Sequence, residues 1–201
     1  MSKTFLLLSA AAVMGLSGCL SATSSEFADP NGTSASAVIP VDLDVLLSGQ
    51  VYDNNLGGAA YLTGIDPFGV RAYAGVMPDS WVGSDISSGT AIYLADYEVA
   101  YVFDVDIAYK PFGTDALSGS YSYTTGQITL VFDADAGTLT GTDNALTING
   151  TVSGGDITGT STFAEVDGEL VGIVGSEGTV GAVHGHSDAL VYAGGFVGAK
   201  N

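Results

Sequence analysis

The chain has 201 residues, with 22 Asp or Glu against 4 Lys or Arg, a formal charge of −18, and 29 glycines. So acidic a surface repels nucleic-acid phosphate and anionic headgroups, which excludes nucleic acid as a partner. One cysteine in the whole chain excludes an internal disulfide, so a core must form by packing alone.

The N-terminus reads as an export signal. Lys3 precedes an apolar run from Phe5 to Met14. That run is the length of a signal core and well short of the roughly 20 residues of a spanning helix. It leads to Leu16-Ser17-Gly18-Cys19, small residues directly before the sole cysteine, which is the pattern of a lipoprotein signal. Residues 1–18 are therefore expected to be removed and Cys19 to carry diacylglycerol. Two or three acyl chains on one residue anchor durably, where a single chain binds only marginally. Leu20 and Ser21 follow the cysteine, and the absence of an acid there points to the outer membrane. Which face of that membrane is occupied stays open. Residues 19–40 are rich in Ser, Thr, Pro, Asn and Gly with no period, so a disordered tether is expected.

Residues 41–201 read as one all-β domain. Val99, Tyr101, Phe103, Val105, Ile107 and Tyr109 alternate with Glu98, Ala100, Val102, Asp104 and Asp106. Ile128, Leu130 and Phe132 oppose Gln127, Thr129 and Asp133, and Leu146 and Ile148 oppose Thr147 and Asn149. A period of two with one polar face marks antiparallel strands around a core. Turns are expected at Asp53-Asn54-Asn55, Asp66-Pro67, Pro78-Asp79, Thr125-Gly126, Asp135-Ala136-Gly137, Asp143-Asn144, Gly154-Gly155 and Asp167-Gly168. Residues 127–142 form a hairpin about Asp135-Ala136-Gly137. Many short strands with regular turns suit a sandwich or a closed up-and-down barrel, with Gly194–Gly198 in a final closing strand. A membrane-spanning barrel fits less well, because acids lie opposite the aromatic face and the chain ends in Lys200-Asn201.

Few residues carry chemistry. His184 and His186 are the only histidines, and on a strand they share a face about 7 Å apart, within reach of one metal ion or a haem edge. In a turn they are merely solvated. Asp42 and Asp44, Asp104 and Asp106, and Asp133 and Asp135 repeat an apolar-Asp-apolar-Asp pattern, but a calcium loop needs more ligands than these supply. No nucleophile elbow or phosphate loop is present, so no enzyme, resident cofactor or structural metal is expected. Trp81, the sole tryptophan, is either a core plug or an exposed anchor for a partner.

The stretch Ser88–Asn201 resembles the C-terminal barrel region of transferrin-binding protein B-like lipoproteins. The resemblance is carried by Ser88-Gly89-Thr90-Ala91-Ile92-Tyr93, Leu130–Asp133, Gly137–Thr142, Ile157–Thr160, Leu170–Gly172, Val180–Gly185 and Ala193–Lys200. It implies an eight-stranded antiparallel barrel filled by side chains, used for capture of an iron-bearing ligand and not for catalysis. The chain departs from the family pattern at Ile173–Gly178, where a Phe-Tyr-Gly-Pro element is usual, and its length leaves no room for a handle domain beside the barrel. The expected function is an outer-membrane-anchored binding module for a protein or an iron- or haem-bearing ligand. The alternative is a structural envelope lipoprotein with no soluble ligand.

Overall fold

The computed structural model describes residues 27–28, 44–66, 69–108 and 116–201. They form twelve strands: β1 (Phe27–Ala28), β2 (Asp44–Asp53), β3 (Gly57–Asp66), β4 (Gly69–Val76), β5 (Thr90–Ala108), β6 (Ala116–Asp133), β7 (Thr138–Thr142), β8 (Leu146–Ser153), β9 (Asp156–Phe163), β10 (Val166–Val174), β11 (Gly178–His186) and β12 (Leu190–Lys200). Strands β5 to β12 close an eight-stranded antiparallel barrel in chain order, and β12 returns to pair with β5. The expected barrel is therefore present, with the chain's last strand closing it. The expected signal, Cys19 and most of the tether lie outside the described residues.

The barrel interior is filled. Tyr93, Tyr192, Phe196, Ile128, Leu130, Leu139, Leu146, Ile148 and Ile157 are all fully buried in one cluster. Burying each such side chain contributes about 1.5–3 kcal/mol. Tyr101, Phe163 and Tyr192 stack near one end, with ring centroids 5.2 and 5.4 Å apart. Bulky rings fit because their cross-strand neighbours are glycines. Phe196 pairs with Gly181 and its ring fills the space a side chain there would need. Tyr97 likewise lies over its partner Gly126, 2.5–2.7 Å from where a Cβ would stand. This is one use of the high glycine content: a ring takes the place of the missing side chain on the next strand.

The buried phenols are satisfied. Tyr93 Oη donates to the Gly175 carbonyl at 2.9 Å, Tyr97 Oη to Asp143 at 2.6 Å, and Tyr192 Oη lies 3.0 Å from Ser161 Oγ. Burial pushes all three phenols up to about 12. Burial pushes the Asp143 carboxyl up. Hydrogen bonds from Tyr97 and from the Leu146 and Ala145 amides outweigh that effect and hold it below its ordinary value.

Two expectations about organisation do not hold. Residues 41–201 are not all barrel. Strands β1 to β4 form a separate four-stranded sheet in the order β1-β4-β3-β2, so a second sheet does accompany the barrel. Eight strands already close the barrel, and the apolar residues of the earlier strands pack on its outside. Leu47, Ala59, Tyr61, Ala72 and Ala74 meet Ala100, Val102, Val180, Ala182, Val191, Ala193 and Val197 in a second apolar cluster. Small residues let the two sheets approach closely: a Cβ at Gly195 would stand 2.5 Å from that of Ala59. The second departure concerns Phe27 and Ala28, which pair with Gly75 and Ala74 although the sequence placed them in the tether.

Two expected turns fall inside strands. Thr125-Gly126 lies within β6, opposite Glu98 and Tyr97, and Asp167-Gly168 lies within β10, opposite Thr162 and Ser161. The glycines there make room for neighbouring rings and backbone, and do not reverse the chain. The turn before β10 is instead Ala164-Glu165, both with positive φ, 48° and 65°.

On β7 to β9 the outer barrel surface is polar, whereas β5 and β6 expose Ile92, Leu94 and Val131. Thr140, Thr142, Asn149, Thr151, Thr158 and Thr160 are exposed on β7 to β9. An outward face this rich in hydroxyls on three adjacent strands is the reverse of a membrane-spanning barrel.

Candidate functional site

A side-chain-filled barrel has no interior for a ligand, which leaves its outer surface and ends as the accessible places. At one end the strap Met77–Gly89 runs past the barrel mouth. Its backbone is held to the β10–β11 turn, Glu177 N–H donating to the Val82 carbonyl at 2.8 Å and Ser176 N–H to Ser84 at 2.8 Å. A cleft of about 230 Å³ remains beneath it, lined by Asp85, Ile86, Phe132, Val152 and Val174. That is below the range of about 300–1,000 Å³ usual for small-molecule sites.

Trp81 stands on this strap, 60% exposed, beside Asp156 and Ile173. Its amide donates to the Leu56 carbonyl at 2.9 Å, so the exposed indole sits on a fixed backbone. Of the two readings the sequence allowed, the exposed one is observed.

His184 and His186 both lie on the outer face of β11, as a strand spacing requires, opposite Ala193 and Val191. Burial divides them. His184 is 1% exposed, with its Nε2 3.9 Å from Glu169, whereas His186 is exposed at the strand end. They do not present two imidazoles to one ligand. Among the described residues no group of three or more His, Cys, Asp or Glu is placed to hold a metal ion.

The acidic pairs have structural duties where they are described. Asp133 Oδ1 accepts from the amides of Asp135 and Ala136 at 3.1 and 3.0 Å, and Asp135 accepts from Gly89 N–H at 3.3 Å. Asp53 holds the β2–β3 turn in the same way, accepting from Asn55 and Leu56. These are Asx-turns, in which a carboxylate satisfies turn amides. Asp104 sits at a bulge with φ 53°, where the β5–β6 register shifts. Asp42 and the Asp106 side chain lie outside the described residues.

The feature the sequence did not reveal lies along β2 and β6. Tyr121, Tyr123 and Tyr52 are 66%, 45% and 46% exposed, and Val45 is 52% exposed. Tyr52 lines a groove of about 440 Å³ together with Gln50, Val51, Asp96, Glu98 and Thr125, and Tyr123 and Tyr121 continue along β6 from Thr125. The tyrosines of β6 point outward with their β5 partners, Tyr123 beside Ala100 and Tyr121 beside Val102, both of the outer cluster. Val99 and Tyr101 take the core positions opposite Thr124 and Ser122, which leaves Tyr123 and Tyr121 on the other face. The run Ser120-Tyr121-Ser122-Tyr123-Thr124 carries the signal as aromatic–polar alternation, but alternation alone does not say which face is inside. In the groove floor Tyr61 Oη–H donates to Glu98, and burial together with that carboxylate pushes the Tyr61 phenol far above its ordinary value. Gln127 Nε2 donates to Asp96 at 3.0 Å.

No family model matches the chain, and no curated protein matches it. Among solved structures it is similar to a surface lipoprotein at 15% identity, over 81% of this chain and 82% of that one, with a TM-score of 0.48. It is also similar to the haemoglobin receptor HpuA from Kingella denitrificans at 16% identity, over 75% and 57% of the two chains, TM-score 0.41. A third is a transferrin binding protein B variant from Haemophilus parasuis at 11% identity, over 87% and 44%, TM-score 0.49. The chain thus spans less than half the length of that last protein. These are likenesses in fold at low identity.

Proposed function

We propose that this chain is a non-catalytic binding module, lipid-anchored to the outer membrane through Cys19, that captures a protein on the outside of its barrel. The observation that carries this reading is the pairing of a filled barrel with aromatic side chains held exposed on rigid backbone: Trp81 on the strap, Tyr52 in the groove, and Tyr121 and Tyr123 on β6. Exposed Trp and Tyr on a fixed scaffold are the side chains that most often dominate protein interfaces, since they bury large area at small entropic cost. The lipid and the polar tether would hold this surface off the bilayer. The burial of His184 favours a protein as the captured species over free haem, because the histidine pair does not offer two accessible imidazoles.

Two measurements test this. Cys19→Ala should move the chain from the membrane fraction to the soluble one and abolish labelling by radioactive palmitate; a chain that stays membrane-bound and unlabelled contradicts the anchor. The purified chain should capture a defined protein saturably, and Trp81→Ala or the paired Tyr121→Ala/Tyr123→Ala variant should weaken capture. No saturable capture at any salt concentration would favour the structural envelope role instead.

A further inference from the structure

We infer that the free edge of β2 accepts an extended, cationic segment of a partner protein as a fifth strand of the small sheet, laid over Tyr121 and Tyr123. This deepens the proposed capture role and rests on it. Three observations converge on the same place.

The first is an open edge. Among the described residues β2 pairs with β3 alone and is the last strand of its sheet. In an antiparallel strand alternate residues direct both N–H and C=O to one side, so ten residues present about five such pairs to the open side. Natural edges are often blunted by bulges and charges. Here the bulge lies between Val45 and Leu47, which leaves Leu47–Asp53 in regular register.

The second is position. The small sheet tracks the barrel strand by strand: β4 lies against β11, β3 against β12, and β2 across β12 and β5. The next barrel strand beyond β5 is β6. A strand added to β2 would sit above β6, where Tyr121 and Tyr123 stand exposed. Backbone pairing would supply affinity, and alternate side chains would meet the tyrosines below.

The third is charge. Asp96 and Glu98 line the groove, Asp44 and Asp53 close the two ends of β2, and no Lys or Arg is among the groove's lining residues. An incoming strand with Lys or Arg at alternate positions complements this floor. A second copy of the chain does not: two β2 edges paired antiparallel would set Asp44 against Asp53, between molecules of charge −18.

The test is a display library of ten-residue peptides panned against the full chain, with Tyr121→Ala/Tyr123→Ala as the counter-target. The expected binders alternate basic with aromatic or β-branched residues. They should slow amide exchange across 47–53 on binding. N-methylation of their alternate amides should weaken binding at least tenfold, and Asp96→Asn/Glu98→Gln should weaken it and flatten its salt dependence. Binders that leave the β2 amides exchanging freely, or that tolerate N-methylation on both sets of alternate amides, overturn the inference. So does the absence of any enriched sequence, or a dimer in sedimentation that Asp44→Asn/Asp53→Asn tightens. Capture of a protein through Trp81 with β2 unprotected would leave the proposed function standing and remove this site.

Discussion

Tyr93, Tyr97 and Tyr192 set how the fold responds to alkali. Each folded phenol is raised by burial from its ordinary value of 10.0 to about 12. A group whose folded value is raised contributes stability that is whole below pH 10 and is lost as the pH climbs through 12. Denaturant melts taken at intervals from pH 8 to 12 should therefore be flat to about pH 10 and then fall. Tyr93→Phe should start about 1 kcal/mol lower, because it leaves the Gly175 carbonyl without its donor, and should fall less steeply. A wild-type profile that is level through pH 12 would contradict this. Gly181 makes a second residue-scale point. A methyl group there meets the Phe196 ring, which is itself fully buried, so Gly181→Ala should cost about 1–3 kcal/mol by urea unfolding. An unchanged midpoint would show that the ring has room to move.

Strands were more legible than the turns between them. The hairpin about Asp135-Ala136-Gly137 pairs Asp133 with Thr138 and Val131 with Thr140, as its residues announce. Ala164-Glu165 announces nothing, because neither residue favours the left-handed backbone it adopts there. Positive φ at both central residues of a two-residue turn is the arrangement that Asn-Gly fits best. Ala164→Asn with Glu165→Gly should therefore stabilise the barrel by about 1–2 kcal/mol, seen as a rise in melting temperature. No change would mean that the turn relaxes without strain. The polar strand faces were readable as outward. The division between barrel and second sheet was not, since Ala59, Tyr61, Ala72 and Ala74 are apolar in the same rhythm whichever surface they cover. Period two identifies a buried face without naming what buries it.

At the scale of the whole molecule, closure of the barrel and the sealing of its outer wall by a second sheet leave two aromatic flanks uncovered. Trp81 lies on the β9–β10 side of that sheet and the tyrosine groove on the β6 side. The sequence carried the all-β class and the closing strand. It did not carry the proposed recognition surface, because Tyr121 and Tyr123 look like core residues until Val99 and Tyr101 are seen to point into the barrel opposite Thr124 and Ser122. The histidine pair drew attention by rarity, yet packing puts His184 out of reach of solvent. The most direct measurement is the binding isotherm of the captured protein on the full chain, compared with Tyr121→Ala/Tyr123→Ala and Trp81→Ala. The expected result is affinity at least tenfold weaker in one or both variants, with melting temperatures unchanged, since all three side chains are exposed. Identical isotherms for wild type and both variants would contradict recognition by the aromatic outer surface.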